Sequence, residues 1–243
     1  MTAETPRFIH LRVRTALSLL QSMIRPKDLA KWAANTGAPA VGVTDDNLYA
    51  ALELAESLSE AGVQSITGLT LDVMEPGVTG EQGKIALLAQ NEAGYRNLME
   101  LSSASFLSPA GDARQVAIAT VLQHAQGLIC LTGGHGGLFN RRAGAGRADE
   151  VRAGLKQLSD VFDGRLYIEL QRHGRPEEAA AEGLLVEMAY ELDLPLVATN
   201  EPYFASNDDY EAHDALLCIA AGKLIAETER EQPTPDHPRT TRA

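Results

Sequence analysis

Five short stretches of this chain carry side chains that could do chemistry. In FIHLRVR (8–14), the two-residue period of an extended strand puts His10, Arg12 and Arg14 on one face and Ile9, Leu11 and Val13 on the other. If the polar face is buried, an imidazole and two guanidinium groups in a row require anionic company. Thr44-Asp45-Asp46-Asn47 supplies a carboxylate pair, suited either to acid–base or cation chemistry or to capping a helix in solvent. Glu169 with His173, and Asn200 with Glu201 and Tyr203, add carboxylates, an imidazole and a phenol. GGHGG (133–137) could cradle a phosphate through backbone N–H groups but lacks the Lys-Ser/Thr of a P-loop. His135 inside it is a candidate displaced ligand.

These stretches fall where short β-branched runs end, which directs attention to the elements that hold them. Strand candidates are 8–14, 40–45, 65–73, 84–90, 127–134, 165–172 and 195–200, alternating with amphipathic helical stretches. Among the latter are PKDLAKWAANTG, with Pro26 suited to a first turn, ALELAESLSEAG, closed by Gly62, and EAGYRNLMELSSASFL. VAIATVLQHAQ, DEVRAGLKQLSDVF, EEAAAEGLLVEMAYELD and YEAHDALLCIAAGK complete the series. Alternation of this kind predicts βαβ units with sites at the carboxyl ends of the strands. EPGVTGEQG is too short for a crossover helix and predicts one hairpin-like departure. GGHGGLFNRRAGAGRA (133–148) reads as a loop, whose Arg141, Arg142 and Arg147 form the densest basic cluster and are expected in solvent. The stretch 231–243, with three prolines, reads as a disordered tail after a domain spanning 1–230.

Composition narrows the function classes. With 21 Lys and Arg against 33 Asp and Glu the net charge is -12, so the chain is expected to bind DNA poorly by itself. No apolar run approaches the roughly 20 residues of a membrane span. No basic-then-apolar signal opens the chain, and a cytoplasmic location is expected. Cys130 and Cys218 sit in apolar runs and read as buried small hydrophobes. His10 is expected to be structural, and His124, His213 and His237 incidental.

FIHLRVRTALSLL, GVTDDNLYAALE, LLAQNEAGYRNLMELSS, LYIELQRHG, LPLVATN and YEAHDALLCIAAGK, in this order, resemble the PHP (polymerase and histidinol phosphatase) domain of bacterial DNA polymerase III alpha subunits. The resemblance runs over about residues 7–230 and implies a distorted (β/α)7 barrel of the α/β class. In metal-binding members the strand ends hold divalent ions, Zn, Mn or Mg, for phosphoester hydrolysis. Position by position, two ligand histidines are replaced by Arg12 and Arg14, a third by Asp46, a glutamate by Thr70 and a cysteine by Gly134. The late D-x-H motif reads Glu201-Pro202-Tyr203, leaving Asp45 and His173 matched in type, with Glu201 a longer carboxylate.

Two permanent guanidinium charges would repel the ions of a polynuclear site, so no metal is expected. Arg12 and Arg14 are expected to stand in for the cations, bonded to Asp45, Asp46 or Glu201. The resemblance thus implies a place in DNA replication as a structural and docking platform, a truncated or split form without the polymerase catalytic region. Its implied partners are the proofreading exonuclease subunit and the remainder of the polymerase III core. The competing expectation is a metal-dependent phosphoesterase or 3'-5' exonuclease using Asp45, His173, Glu201 and His135.

Overall fold

The computed structural model describes residues 8–75, 82–107 and 114–227. The expected tail, with His237, lies outside the described residues, as does most of the EPGVTGEQG turn. In chain order the elements are α1 (Pro26–Thr36), β1 (Ala40–Val43), α2 (Ala51–Glu60), β2 (Gln64–Met74), β3 (Gln82–Ala89), α3 (Glu92–Leu107), β4 (Gln115–Ala117), α4 (Ile118–Gln123) and β5 (Leu128–Leu131). There follow α5 (Leu138–Gly144), α6 (Ala148–Phe162), β6 (Leu166–Leu170), α7 (Pro176–Glu191), β7 (Leu196–Ala198) and α8 (Tyr210–Ala221), giving a mixed α/β fold. No helix of the described residues is long and apolar enough to cross a membrane.

These elements form two compact units: one drawn from the chain up to Val43, Tyr49–Thr67 and Glu201 onward, the other from Thr44–Leu48 and Gly68–Asn200. In the first, Pro26 supplies the fixed φ of a first helical turn and Gly37 closes α1 in the left-handed conformation. Leu29, Ala30 and Ala33 turn inward from α1 to meet Val13, Val41, Val43, Leu54 and Leu58, all buried. β1 pairs in parallel with the start of β2, Ala40 opposite Gln64.

The expected first strand at 8–14 is instead an extended segment with one bridge, Val13 to Val43. Backbone bonds from Val13 N to Gly42 O (3.0 Å) and from Gly42 N to His10 O (2.7 Å) lay it beside β1. The Arg14 N–H leaves that direction for Pro202 O at 3.2 Å, which ends the pairing. Burial does not alternate along it: Arg12, Val13 and Arg14 are all buried, while Ile9, His10 and Leu11 are half-buried.

In the second unit β2 continues antiparallel to β3, Gly68 opposite Leu88, the departure expected at EPGVTGEQG. β3 is also antiparallel to β5, after which β5–β6 and β6–β7 are parallel. β4 pairs in parallel with β2, where the sequence reading placed only helix; the helix α4 begins directly after it at Ile118. Three residues are too few for a hydrophobic period to reveal. A second correction concerns 133–148, which contains a 3-10 turn at Gly134–Gly136 and the helix α5, formed because Leu138, Phe139, Arg142 and Ala143 bury one side of it. The core joins Leu69, Leu71, Leu87, Leu98, Phe139, Leu155, Phe162, Ile168, Leu185 and Met188.

Candidate functional site

Within the first unit, four of the expected site residues meet. Arg12 donates through Nη2 to Glu201 Oε1 at 3.0 Å, and Arg14 donates through Nε to the same oxygen at 2.8 Å. The Tyr203 hydroxyl is hydrogen-bonded to that carboxylate. Both arginines are 0% exposed, so the pairing is a buried, charge-assisted one rather than a surface bridge. Burial, with the negative Glu201 beside it, pushes the Tyr203 hydroxyl well above its ordinary range and keeps it protonated, able to donate. Ser22 Oγ donates to Arg14 O (2.7 Å) and Tyr203 O (2.9 Å), and Met23 N donates to Tyr203 O (2.9 Å). Ser22 thus ties the backbone of Arg14 to that of Tyr203. His213, expected to be incidental, is fully buried beside Tyr203 and Phe204, its Nε2 2.8 Å from Gln21 O. His10 packs edge-on between Phe8 and Trp32, as a structural residue does, and burial lowers its pKa.

The second unit holds the remaining positions. Asp45 is buried and its carbonyl accepts the Thr70 N–H at 2.9 Å, while Thr70 Oγ1 donates to Thr44 O at 2.9 Å. Neither aspartate caps a helix: α2 has Ala50 at its N-cap and no side-chain bond there. Asp46 faces Arg114, which donates to its carbonyl at 2.7 Å, lies 3.7 Å from its carboxylate and stacks over Phe106. Asp46 and Thr70 line a cavity of about 170 Å³ together with Asp72, Ser105 and Arg114.

His173 follows β6 and is anchored on both ring nitrogens, Nδ1 2.7 Å from Glu178 Oε1 and Nε2 2.9 Å from Asn200 Oδ1. Glu178 sits in the first turn of α7, where its Oε2 also accepts the N–H groups of His173 (2.7 Å) and Arg175 (3.3 Å). Burial works to raise the Glu178 carboxyl, but these His173 and Arg175 bonds outweigh it and hold the group below its ordinary value. His135, Glu178 and His173 each offer a ligand atom within 4.8 Å of the others. Gly134 is in contact range of Gln171, whose Oε1 accepts the His135 N–H at 3.3 Å. Gln171 Nε2 donates to Glu169 Oε1 and Thr199 Oγ1, both at 3.2 Å, and Gly133 N donates to Glu169 Oε2 at 3.0 Å.

Ser22, Arg114, Gln171 and Glu178 escaped the sequence reading. Two of them left a signal. Gln171 stands two residues from Glu169 and so shares its face, and Glu178 stands at the third helical position after Arg175, where a carboxylate reaches back to free N–H groups. Ser22 and Arg114 left none, because their partners lie far away in the chain. The basic cluster needs correcting. Arg142 is buried and paired with Glu75 and, at 3.8 Å, Glu150, because α5 turns it inward; Arg147 pairs with Glu150 at 3.1 Å. Arg141 stays exposed, as expected, donating to Gln82 O at 3.2 Å.

The residues present do not fit a polynuclear metal cluster. Two of the positions that would ligate are guanidinium groups whose shared carboxylate is occupied by them.

Comparison with known proteins agrees with this layout. The sequence pattern described as the PHP domain matches residues 10–173. The chain is 45% identical over 244 residues to the DNA polymerase III subunit alpha of Caulobacter vibrioides, covering 97% of this chain and 21% of that protein. It is 34% identical to the Rickettsia bellii subunit, over 88% of this chain and 18% of that one, and 32% identical to the Pseudomonas aeruginosa subunit, over 93% and 19%. The chain therefore spans about a fifth of the length of these relatives. Among solved structures, an amidohydrolase from Chromobacterium violaceum shares the fold at TM-score 0.50 and 12% identity, covering 86% of this chain and 96% of that one. Matched by the family's pattern over residues 10–173, well over half of its length, the chain belongs to the PHP domain family.

Proposed function

We propose that this chain acts in DNA replication as the PHP domain of a DNA polymerase III alpha subunit, in the cytoplasm, as a structural and docking platform rather than a metal-dependent hydrolase. The observation that carries this reading is the burial of Arg12 and Arg14 against Glu201. Guanidinium charge fills the place of a cation that a hydrolytic PHP site requires, and a permanent charge cannot bind and release water or activate a phosphoester as a metal ion does. The occupants of the platform are the proofreading exonuclease subunit and the rest of the polymerase III core. Similarity at 45% to an alpha subunit supports that context.

The experiment has two arms. Purified chain mixed with the proofreading subunit is expected to elute as a complex in size-exclusion chromatography; separate elution at micromolar concentrations sinks the docking role. Incubated with a chromogenic phosphodiester and Mn²⁺ or Zn²⁺, the chain is expected to give no turnover. Turnover abolished by Asp45→Ala would replace this reading with the phosphoesterase or exonuclease, which the proximity of His135, His173 and Glu178 favours.

A further inference from the structure

Resting on the reading of a docking platform, we propose that the turn 15–22 is a preformed knob, whose Leu19 and Leu20 seat in an apolar pocket rimmed by Lys or Arg on the docked protein, the proofreading subunit of that reading. The turn is inside out. Thr15, Ser18 and Ser22 are buried, whereas Leu19 is 65% and Leu20 44% exposed. Burial of apolar area drives folding, and it ordinarily places these residue types the other way round. Leu20 also stands at φ +60°, in the left-handed region where a Cβ crowds the backbone. One exposed leucine is ordinary; two in succession, held outward on a strained backbone, cost the isolated fold stability and suit it to a partner that covers them.

The turn is fixed from within. Ala16 N donates to Ile24 O at 2.8 Å and closes its neck, and Gln21 N donates to Ser18 O at 3.0 Å across its tip. Ser22 Oγ reaches Arg14 O and Tyr203 O, and Gln21 O faces His213 Nε2 at 2.8 Å. A projection held this way loses little conformational freedom on association. The His213 contact also sets its electrostatic surroundings. His213 lies in the first turn of α8, which bears the exposed Glu211 and follows the 3-10 turn Asn207–Asp209 with the exposed Asp208. Neither carboxylate is ion-paired among the described residues. An apolar tip beside this negative charge fits an apolar pocket with a basic rim: the rim speeds encounter, and burial of the leucines slows release.

Binding of the fluorescently labelled proofreading subunit to the purified chain, read by anisotropy beside the Tm of each variant, tests this. Leu19→Ser should bind about tenfold more weakly or worse with its Tm unchanged, since the lost contact lies only in the complex. Leu20→Gly should bind as weakly while keeping or raising the Tm, because glycine fits a positive φ. Leu52→Ser, at a leucine 70% exposed on α2, should bind like the parent and so show that the loss is specific to the turn. Association with the parent should slow as salt rises; a salt-independent rate overturns the basic rim. The knob is overturned if the parent binds and both turn variants bind within roughly threefold of it, if Leu52→Ser weakens binding as much, or if Leu19→Ser lowers the Tm by about 5 °C or more. A parent chain that does not bind sinks the docking reading itself, and this inference with it.

Discussion

Glu201 is the residue on which the first unit's polar interior turns. It accepts from Arg12 and Arg14 on one oxygen, with all three side chains within 3% of full burial. Removing one partner of a buried ionic group leaves uncompensated charge, so Glu201→Gln should cost about 3–5 kcal/mol, read as a lowered midpoint in urea unfolding. A loss under about 1 kcal/mol would mean that the arginines are held by something else. Two further residues set a pH dependence. His10 is held by burial below its ordinary 6.5, so the unfolded chain takes up its proton first and stability falls as pH drops below about 6.5. Glu178, held below its ordinary 4.5, contributes stability above that value and loses it as pH falls through its lower folded value. Urea midpoints should therefore decline in two stages on acidification. His10→Phe, which keeps the ring contacts to Phe8 and Trp32, should remove the upper stage alone.

At the scale of elements, α3 and α7 are positioned by small, specific contacts. Gly94 lies inside α3, where alanine is ordinarily favoured by about 1 kcal/mol. Here a Cβ would come within 1.9 Å of Gly127 O, a backbone atom that cannot swing aside. Gly94→Ala should thus reverse the usual sign and lower the Tm; an increase would show that α3 can shift away from the start of β5. The N-terminus of α7 depends on Glu178, the acceptor for two N–H groups and the His173 ring. Glu178→Ala should destabilise by about 1–2 kcal/mol, with hydrogen exchange accelerated in the first turn of α7 rather than throughout it. The elements themselves were legible wherever a period ran long enough. α1, α2 and α3 lie where apolar spacing and Pro or Gly punctuation predicted them. β4 and α5 did not show, one being three residues long and the other hidden by glycines that pack rather than flex.

For the whole molecule, the net charge of -12, the burial of Arg142 against Glu75 and the surface pairing of Arg147 with Glu150 disfavour binding to a phosphate backbone. In an electrophoretic shift assay at about 150 mM salt, the chain should not retard duplex DNA at concentrations where specific binders do. Micromolar binding that survives this salt would contradict that. The sequence by itself determined the α/β class, the family and the conflict at the site, because strand alternation and charge are local properties: two arginines at ligand positions argue against a metal wherever they fold. Only the tertiary structure decided which carboxylate answers them. Glu201 stands 189 residues from Arg12, and of the three acids the sequence offered, nothing local distinguishes it. The same holds for Gln171 over Gly134 and for the buried Arg142, since burial and hydrogen-bond partners come from chain segments that meet only when the strands pair.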